Sequence, residues 1–126
     1  MTNATEFFRA IQQGVFVNLN TAMPCKVLAY DETKRLAKIE PLFMAKEAGE
    51  EPAKLAPIEN VPVLFQKYRV NGSEVQNYVP TLEPMVDTVL AVFCQRAIDE
   101  AMKGNNVYPG TARMFDVHDA VIVGVF

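Results

Sequence analysis

The sequence predicts a mainly β fold: a small barrel with an N-terminal helix and a short helical insert before the last strands. Apolar and polar residues alternate over several short segments, tight-turn signals separate these segments, and a clear 3.6-residue period occurs only at the start of the chain. About five to seven short strands joined by turns fit a barrel better than a sheet wound between helices.

Length and composition are those of an ordinary folded domain. The chain has 126 residues, of which 50% are hydrophobic and 21% are charged, so one core of normal size is expected and wholesale disorder is excluded. Lys and Arg number 12 against 15 Asp and Glu, for a net charge of −3. Nucleic-acid binding is disfavoured because phosphates require a positive face. No segment resembles a membrane span or a secretion signal, which predicts a soluble domain.

Residues 1–20 are predicted to form an N-terminal helix, and residues 21–126 the barrel domain. Asn3 precedes Glu6 at the spacing of a capping box, and large apolar residues then recur at helical intervals. These residues are Phe7, Phe8, Ile11, Val15 and Phe16. One face of a helix cannot bury this many large apolar side chains against a barrel. We therefore expect some of them to cover the barrel and the rest to bind another chain.

Turn signals divide the barrel domain into strands. Met23 to Glu40 predicts a hairpin, with Met23, Cys25, Val27 and Ala29 on one face. Residues 45–57 lose all periodicity and are predicted to be a mobile loop.

Two further turn signals follow. Pro62 marks a strand at an edge of the sheet, because proline cannot donate a ladder hydrogen bond. Asn71-Gly72 indicates a tight hairpin, because both residues accept the positive φ of a type I′ turn.

Two strands near the C-terminus are apolar on both faces. They run from Val86 to Cys94 and from Val121 to Phe126, and residues 97–102 between them predict a helical insert. A closed barrel buries one face of each strand and exposes the other. The second apolar face therefore predicts a neighbouring subunit as its cover.

Candidate catalytic residues are few. His118 lies between Asp116 and Asp119, which could bind a metal, but a closed site usually needs three or four ligands. We favour the interpretation that these residues cap a turn. Ser73, the single serine, stands beside a predicted turn without a supporting motif. No enzyme activity, metal or cofactor is predicted.

Other polar residues have a functional and a structural interpretation. Lys67, Tyr68 and Arg69 could bind single-stranded nucleic acid on a barrel, although an ordinary solvated hairpin is the favoured reading. We expect Cys25 and Cys94 to be reduced thiols of the core. Arg96 is expected to pair with Asp119 or Asp99 in a structural role.

Several motifs follow one another in a fixed order between about residue 11 and residue 126. The first has the pattern T-A-x-P-x-x-V-x-x-Y-D, formed by Thr21, Ala22, Pro24, Val27, Tyr30 and Asp31. Next come Glu40-Pro41-Leu42 and the strand start Asn60 to Val63. The last two are formed by Val92, Phe93, Arg96, Ile98 and Asp99, and by Arg113, Asp119, Ala120, Ile122 and Gly124. In order and spacing these motifs resemble the N-terminal OB-fold domain of central spike proteins from the baseplates of contractile-tailed phages. The family's Gly-Asp turn before the central strand is replaced here by Glu83-Pro84-Met85-Val86-Asp87.

This resemblance implies a non-enzymatic virion protein at the tip of a contractile tail, made in the host cytoplasm. It implies a homotrimer that binds the baseplate hub on one side and the needle or β-helix segment of the spike on the other, with no nucleic acid and no stable membrane association. The expected subunit interface comprises Val89, Leu90, Val92, Arg96, Asp119, Val121, Val123 and Phe126. The expected hub-docking residues are Phe7, Phe8, Ile11 and Val15. The resemblance does not extend to the family's iron-binding needle tip. The alternative function is an OB-fold protein that binds single-stranded nucleic acid.

Overall fold

In a computed structural model, which describes residues 3–108, 110 and 112–126, the chain forms a curled five-stranded sheet with one helix and two small hairpins attached. The elements in chain order are α1 (Asn3–Asn18), β1 (Ala22–Asp31), β2 (Leu36–Pro41), β3 (Met44–Ala45), β4 (Ala53–Lys54), β5 (Ile58–Pro62), β6 (Gln66–Arg69), β7 (Val75–Tyr78), β8 (Thr88–Phe93) and β9 (Ala120–Val125). The helical insert predicted at residues 97–102 is reduced to one 3₁₀ turn at Ala101–Lys103, and a second 3₁₀ turn at Val117–Asp119 leads into β9. The predicted mainly β, OB-like fold is confirmed.

The five-stranded sheet is antiparallel in the order β5-β2-β1-β8-β9. It curls until its two edges meet at a single parallel bridge between Val63 and Ile122, where the N–H of Leu64 donates to the Ile122 carbonyl at 3.1 Å. The sheet is therefore a half-barrel with a nearly open seam. Pro62 lies in the edge strand β5, as predicted.

The core lies inside the curl and follows the two-residue alternation of the strands. Cys25, Val27 and Val89 have no exposed surface. A β-bulge between Val27 and Ala29 reverses the alternation in β1, so Ala29 is exposed and Tyr30 packs against the core. The expectation that Ala29 shares the inward face is therefore wrong.

The hairpin at Asn71-Gly72 is confirmed. Both residues have positive φ, 48° and 75°, and the Ser73 N–H donates to the Val70 carbonyl at 3.0 Å. The strands of this hairpin, β6 and β7, form a separate sheet in which every residue is exposed.

The segment 45–57 was expected to be a loop without regular structure, but part of it forms strands. Met44 pairs with Lys54 and Ala45 with Ala53, so β3 and β4 make a small hairpin. Local turn geometry supports it, because Gly49 has a φ of 81° and the Glu50 N–H donates to the Glu47 carbonyl at 3.0 Å.

The turn before β8 is built without the family's glycine. Met85 adopts a φ of 66°, and its N–H donates to the Val27 carbonyl at 2.7 Å. The Asp87 carboxylate accepts the Glu83 N–H at 2.7 Å and so closes the turn. A methionine thus occupies a left-handed conformation that favours glycine.

Helix α1 does not cover the barrel. All of its residues are exposed, including Val17 at 80%. After the helix, the backbone and side-chain N–H groups of Asn20 both donate to the carbonyl of Phe115, in the segment before β9, at 3.3 and 2.9 Å. The expectation that the helix buries part of the barrel surface is therefore wrong. Among the described residues, no helix combines the length and apolarity required to cross a membrane.

Candidate assembly surface

The outward side of β8 and β9 carries an apolar patch, here called the outer β8–β9 face, made of Leu90, Val92, Val121 and Val123. Val92 lies between Ala22 and Val121 across the sheet. Leu90, Val92 and Val121 are half-buried, and Val123 is 45% exposed. In the single chain, the outer faces of β8 and β9 are therefore only partly buried, and not fully buried as predicted.

The predicted interface residues fall into two groups. Val89 and Asp119 have no exposed surface and lie inside the fold. The expectation that these two residues belong to the subunit interface is therefore wrong. Arg96 is half-buried just after β8, and Phe126 is 77% exposed beside the end of β9.

Asp119 holds the long segment between β8 and β9 against the sheet. Its two carboxylate oxygens accept hydrogen bonds from Nε and Nη2 of Arg113, both at 2.8 Å, and the Ile98 N–H donates to it at 3.3 Å. The hydrogen bond to Asp119 raises the pKa of Arg113 above its ordinary value, with help from the charges of Asp119 and exposed Asp99, which lies 3.6 Å from the guanidinium. Arg113 therefore makes the contacts with Asp119 and Asp99 that the sequence analysis expected of Arg96.

Asp116 and His118 cap the turn before β9, as the favoured interpretation predicted. The Asp116 carboxylate accepts the His118 backbone N–H at 2.9 Å and also contacts the His118 ring. The hydrogen bond from the His118 backbone, followed by that from its ring, lowers the pKa of Asp116. No group of three or more metal-ligating side chains forms within the described part of the chain.

Ser73 and the two cysteines have structural positions. The Ser73 hydroxyl donates to the Val70 carbonyl in the hairpin turn. Both cysteines are free thiols, Cys25 in the core and Cys94 half-buried. Burial raises the pKa of Cys25 to about 11, and burial together with the charge of Asp119 raises that of Cys94. Deprotonation, and with it reactivity, is disfavoured at both sulfurs.

The hairpin of β6 and β7 separates its cations from its aromatic rings. Tyr68 and Tyr78 lie on one face with their ring centroids 5.3 Å apart. Lys67 and Arg69 alternate with Tyr68 and so lie on the other face. Stacking of bases and contact with phosphates would therefore need opposite sides of the hairpin.

Helix α1 presents the predicted apolar stripe to solvent. Phe7, Phe8, Ile11 and Val15 are between 50% and 67% exposed, and their spacing places them on one side of the helix. The sequence predicted this stripe, but it did not predict that the described part of the barrel leaves the stripe uncovered.

The comparisons with known proteins agree with this architecture. No curated protein matches the chain. The model of a family described as the phage protein Gp138 N-terminal domain matches residues 23–124, which include nearly the whole curled sheet. The resemblance predicted from the motifs is thereby confirmed. This chain belongs to the family of the phage protein Gp138 N-terminal domain, and with that family to the structural proteins of phages.

Proposed function

We propose that the domain is a trimeric collar in the baseplate spike of a contractile-tailed phage, linking the tail hub to the cell-puncturing needle. One observation carries this proposal: the folded chain leaves two apolar surfaces exposed, the stripe on α1 and part of the outer β8–β9 face. Extended apolar surface on a folded chain marks sites of protein contact. In a family of phage structural proteins, neighbouring virion proteins supply such contacts.

Self-association uses the outer β8–β9 face. Val92 and Val121 lie side by side at its centre, and the next residue across the sheet, on β1, is the uncharged Ala22. A permanent interface is expected to bury on the order of 2,000 Å² or more and to be hydrophobic. The apolar face supports an oligomer, and the resemblance supports threefold symmetry.

Helix α1 and the end of the C-terminal strand are attached near opposite ends of β8, which supports separate partners for the two. Helix α1 joins the sheet through Ala22, which is paired with Val92, whereas the Phe126 N–H donates to Thr88 at the other end of β8 at 2.9 Å. We assign the helix to the hub and the C-terminal strand to the needle. The tip of the tail is the resulting location, with no stable membrane association.

The proposed role is non-enzymatic. The Arg113–Asp119 pair and the Asp116–His118 pair form internal structural contacts. The thiols of Cys25 and Cys94 have raised pKa values. These side chains support folding rather than a reaction.

Light scattering at tens of micromolar tests the assembly. We expect a trimer for the intact chain, and smaller particles when Val92 and Val121 are both replaced by Asp. Replacing Val75 by Asp on the β6–β7 hairpin, where valine is 52% exposed, is the matched control and should leave the trimer intact. Particles of only 14.0 kDa from the intact chain would contradict the proposal.

Deletion of residues 1–18 tests the hub contact. The shortened chain should lose binding to purified hub protein while keeping its oligomeric state. In the full chain, Phe7→Ser with Phe8→Ser should weaken binding, and Val17→Ser, away from the stripe, should not. Full affinity after the deletion would leave only the barrel ends as docking sites.

Binding of single-stranded nucleic acid remains the alternative, and the separation of Lys67 and Arg69 from the two tyrosines disfavours it. Fluorescence anisotropy with a labelled oligonucleotide should stay flat at low salt. Micromolar binding that falls steeply with salt and is lost on Lys67→Ala with Arg69→Ala would reverse this order.

A further inference from the structure

A cavity of about 430 Å³ opens beside the turn that joins β1 to β2, and we call it the basic cavity. Its charged lining residues are all cations, in a chain whose net charge is −3. Its walls are mostly apolar. The lining residues that matter here are Lys34, Arg35, Phe65, Met102, Lys103 and Val121.

Arg35 is fixed at the rim of the basic cavity. Its φ is 55°, its carbonyl accepts the Val63 N–H at 3.0 Å, and its guanidinium lies 3.9 Å from the centre of the Phe65 ring. Within the described residues, Lys34 and Arg35 form no ion pair, and Lys103 reaches only the exposed Glu100, at 3.3 Å. Asp31 and Glu32 belong to the same turn, but no carboxylate that the structure describes lines the cavity itself.

The complementary surface is the β3–β4 hairpin, residues 42–54, which we call the acidic arm. Glu47, Glu50 and Glu51 form its tip, ordered by the Glu47–Glu50 turn described above. Two lysines also belong to the arm, and one of them, Lys54, lies 3.6 Å from Glu40 of the sheet. Apolar residues at the base of the arm are exposed: Leu42 at 44%, Phe43 at 58% and Met44 at 58%.

The basic cavity and the acidic arm lie at opposite ends of β2. Arg35 directly precedes this strand and Leu42 directly follows it, and six extended residues span roughly 20 Å. The base of the arm is therefore separated from the cavity of the same copy by the length of this strand. A second copy can bring the two together.

We infer that the acidic arm of one copy docks in the basic cavity of the next copy. The inference rests on the proposed self-assembly and names a second contact for it. Such a contact joins two different patches head to tail, the arrangement that builds cyclic rings. Val121 lines the cavity and also belongs to the outer β8–β9 face, so the two contacts are continuous. Arm and cavity each combine charge with an apolar part, and the charges have opposite sign.

Charge exchange tests the contact. Lys34→Glu with Lys103→Glu reverses the cavity, Glu50→Lys with Glu51→Lys reverses the arm, and one chain with all four changes restores opposite signs while keeping the net charge. Arg35 stays, because its stacking on Phe65 supports the fold. Lys67→Glu with Arg69→Glu on the β6–β7 hairpin is the control with the same charge change.

Sedimentation equilibrium and circular dichroism on the full chain are the measurements. Each reversed pair should weaken self-association by about tenfold or more near 50 mM salt and less near 500 mM, because screening removes exposed charge attraction. The four-change chain should recover the intact chain's association. Association unchanged by either pair, or lost in both pairs without recovery in the four-change chain while the fold is kept, would overturn the inference. A monomeric intact chain would instead overturn the proposed trimer.

Discussion

The inward face of the curled sheet and the stripe on α1 are both apolar, yet they differ completely in burial. Ile39 of the sheet has no exposed surface, whereas Ile11 of the helix is 50% exposed. The sheet is stabilised by its own core. Most of the stability of a helix in a protein comes from packing of its apolar face rather than from propensity, and the 16 residues of α1 are all exposed. We therefore expect α1 to gain stability from a partner, whereas the sheet has its own core.

The largest expected effect comes from Asp119, whose charged side chain is buried in the sheet region. Asp119→Ala should lower the free energy of unfolding by about 3–5 kcal/mol, because it leaves Arg113 without its main partner and the Ile98 N–H without an acceptor. Asp99→Ala removes the exposed partner of Arg113 and should cost about 1 kcal/mol or less. Urea unfolding of both variants checks this. Equal losses of unfolding free energy in the two variants would show that burial does not decide how much each carboxylate contributes to stability.

The comparison itself is tested by the two isoleucines. Ile39→Ala should destabilise the domain by about 2–5 kcal/mol through lost burial and a cavity. Ile11→Ala should change the unfolding free energy by about 0.5 kcal/mol or less. Thermal unfolding at one fixed protein concentration measures both. A large loss from Ile11→Ala in a dissociated chain would show that α1 packs on the barrel after all.

Alkaline pH should weaken the sheet through Cys25. Its folded-state pKa is raised to about 11 from 9.0 by burial, so the neutral thiol favours the folded state. This stabilisation is complete below pH 9 and is lost as the pH rises from 9 to 11. The slope of unfolding free energy against pH in that window should become shallower in Cys25→Ala. An unchanged slope would assign the alkaline loss to other groups.

The smallest effect concerns backbone strain at Met85. Met85→Gly should stabilise the domain by roughly 0.5–1 kcal/mol, because glycine accepts the positive φ without steric cost. Val86→Gly, in the same turn and 61% exposed, should instead destabilise it by about 0.5–1 kcal/mol, through a more flexible unfolded chain. Melting temperatures of the two variants should move in opposite directions. A shared direction would mean that strain at residue 85 is negligible.

Local rules predicted much of the fold. The helix, the first hairpin, the Asn71-Gly72 turn and the edge position of Pro62 each follow from spacing or from the chemistry of one or two residues. Capping by Asp116 is of the same kind, because its acceptor and donor lie two residues apart.

The errors concern tertiary choices. Periodicity gives the apolar face of α1 but not what covers it. The bulge that turns Tyr30 inward leaves no mark in the alternation, since Ala29 and Tyr30 both suit either face. Asp119 could pair with any nearby cation, and the fold brings Arg113 to it from a segment without regular structure.

The seam at Val63 and Ile122 makes the barrel an incomplete tube. Every other junction between neighbouring strands of the main sheet has several paired residues, whereas this one has a single bridge. Opening the seam would break few backbone hydrogen bonds and would leave the other four junctions between strands intact. In the collar that we propose, load along the tail axis would therefore open the domain first at this line, as a split sleeve widens, and neighbouring subunits packed around the domain would keep the seam closed.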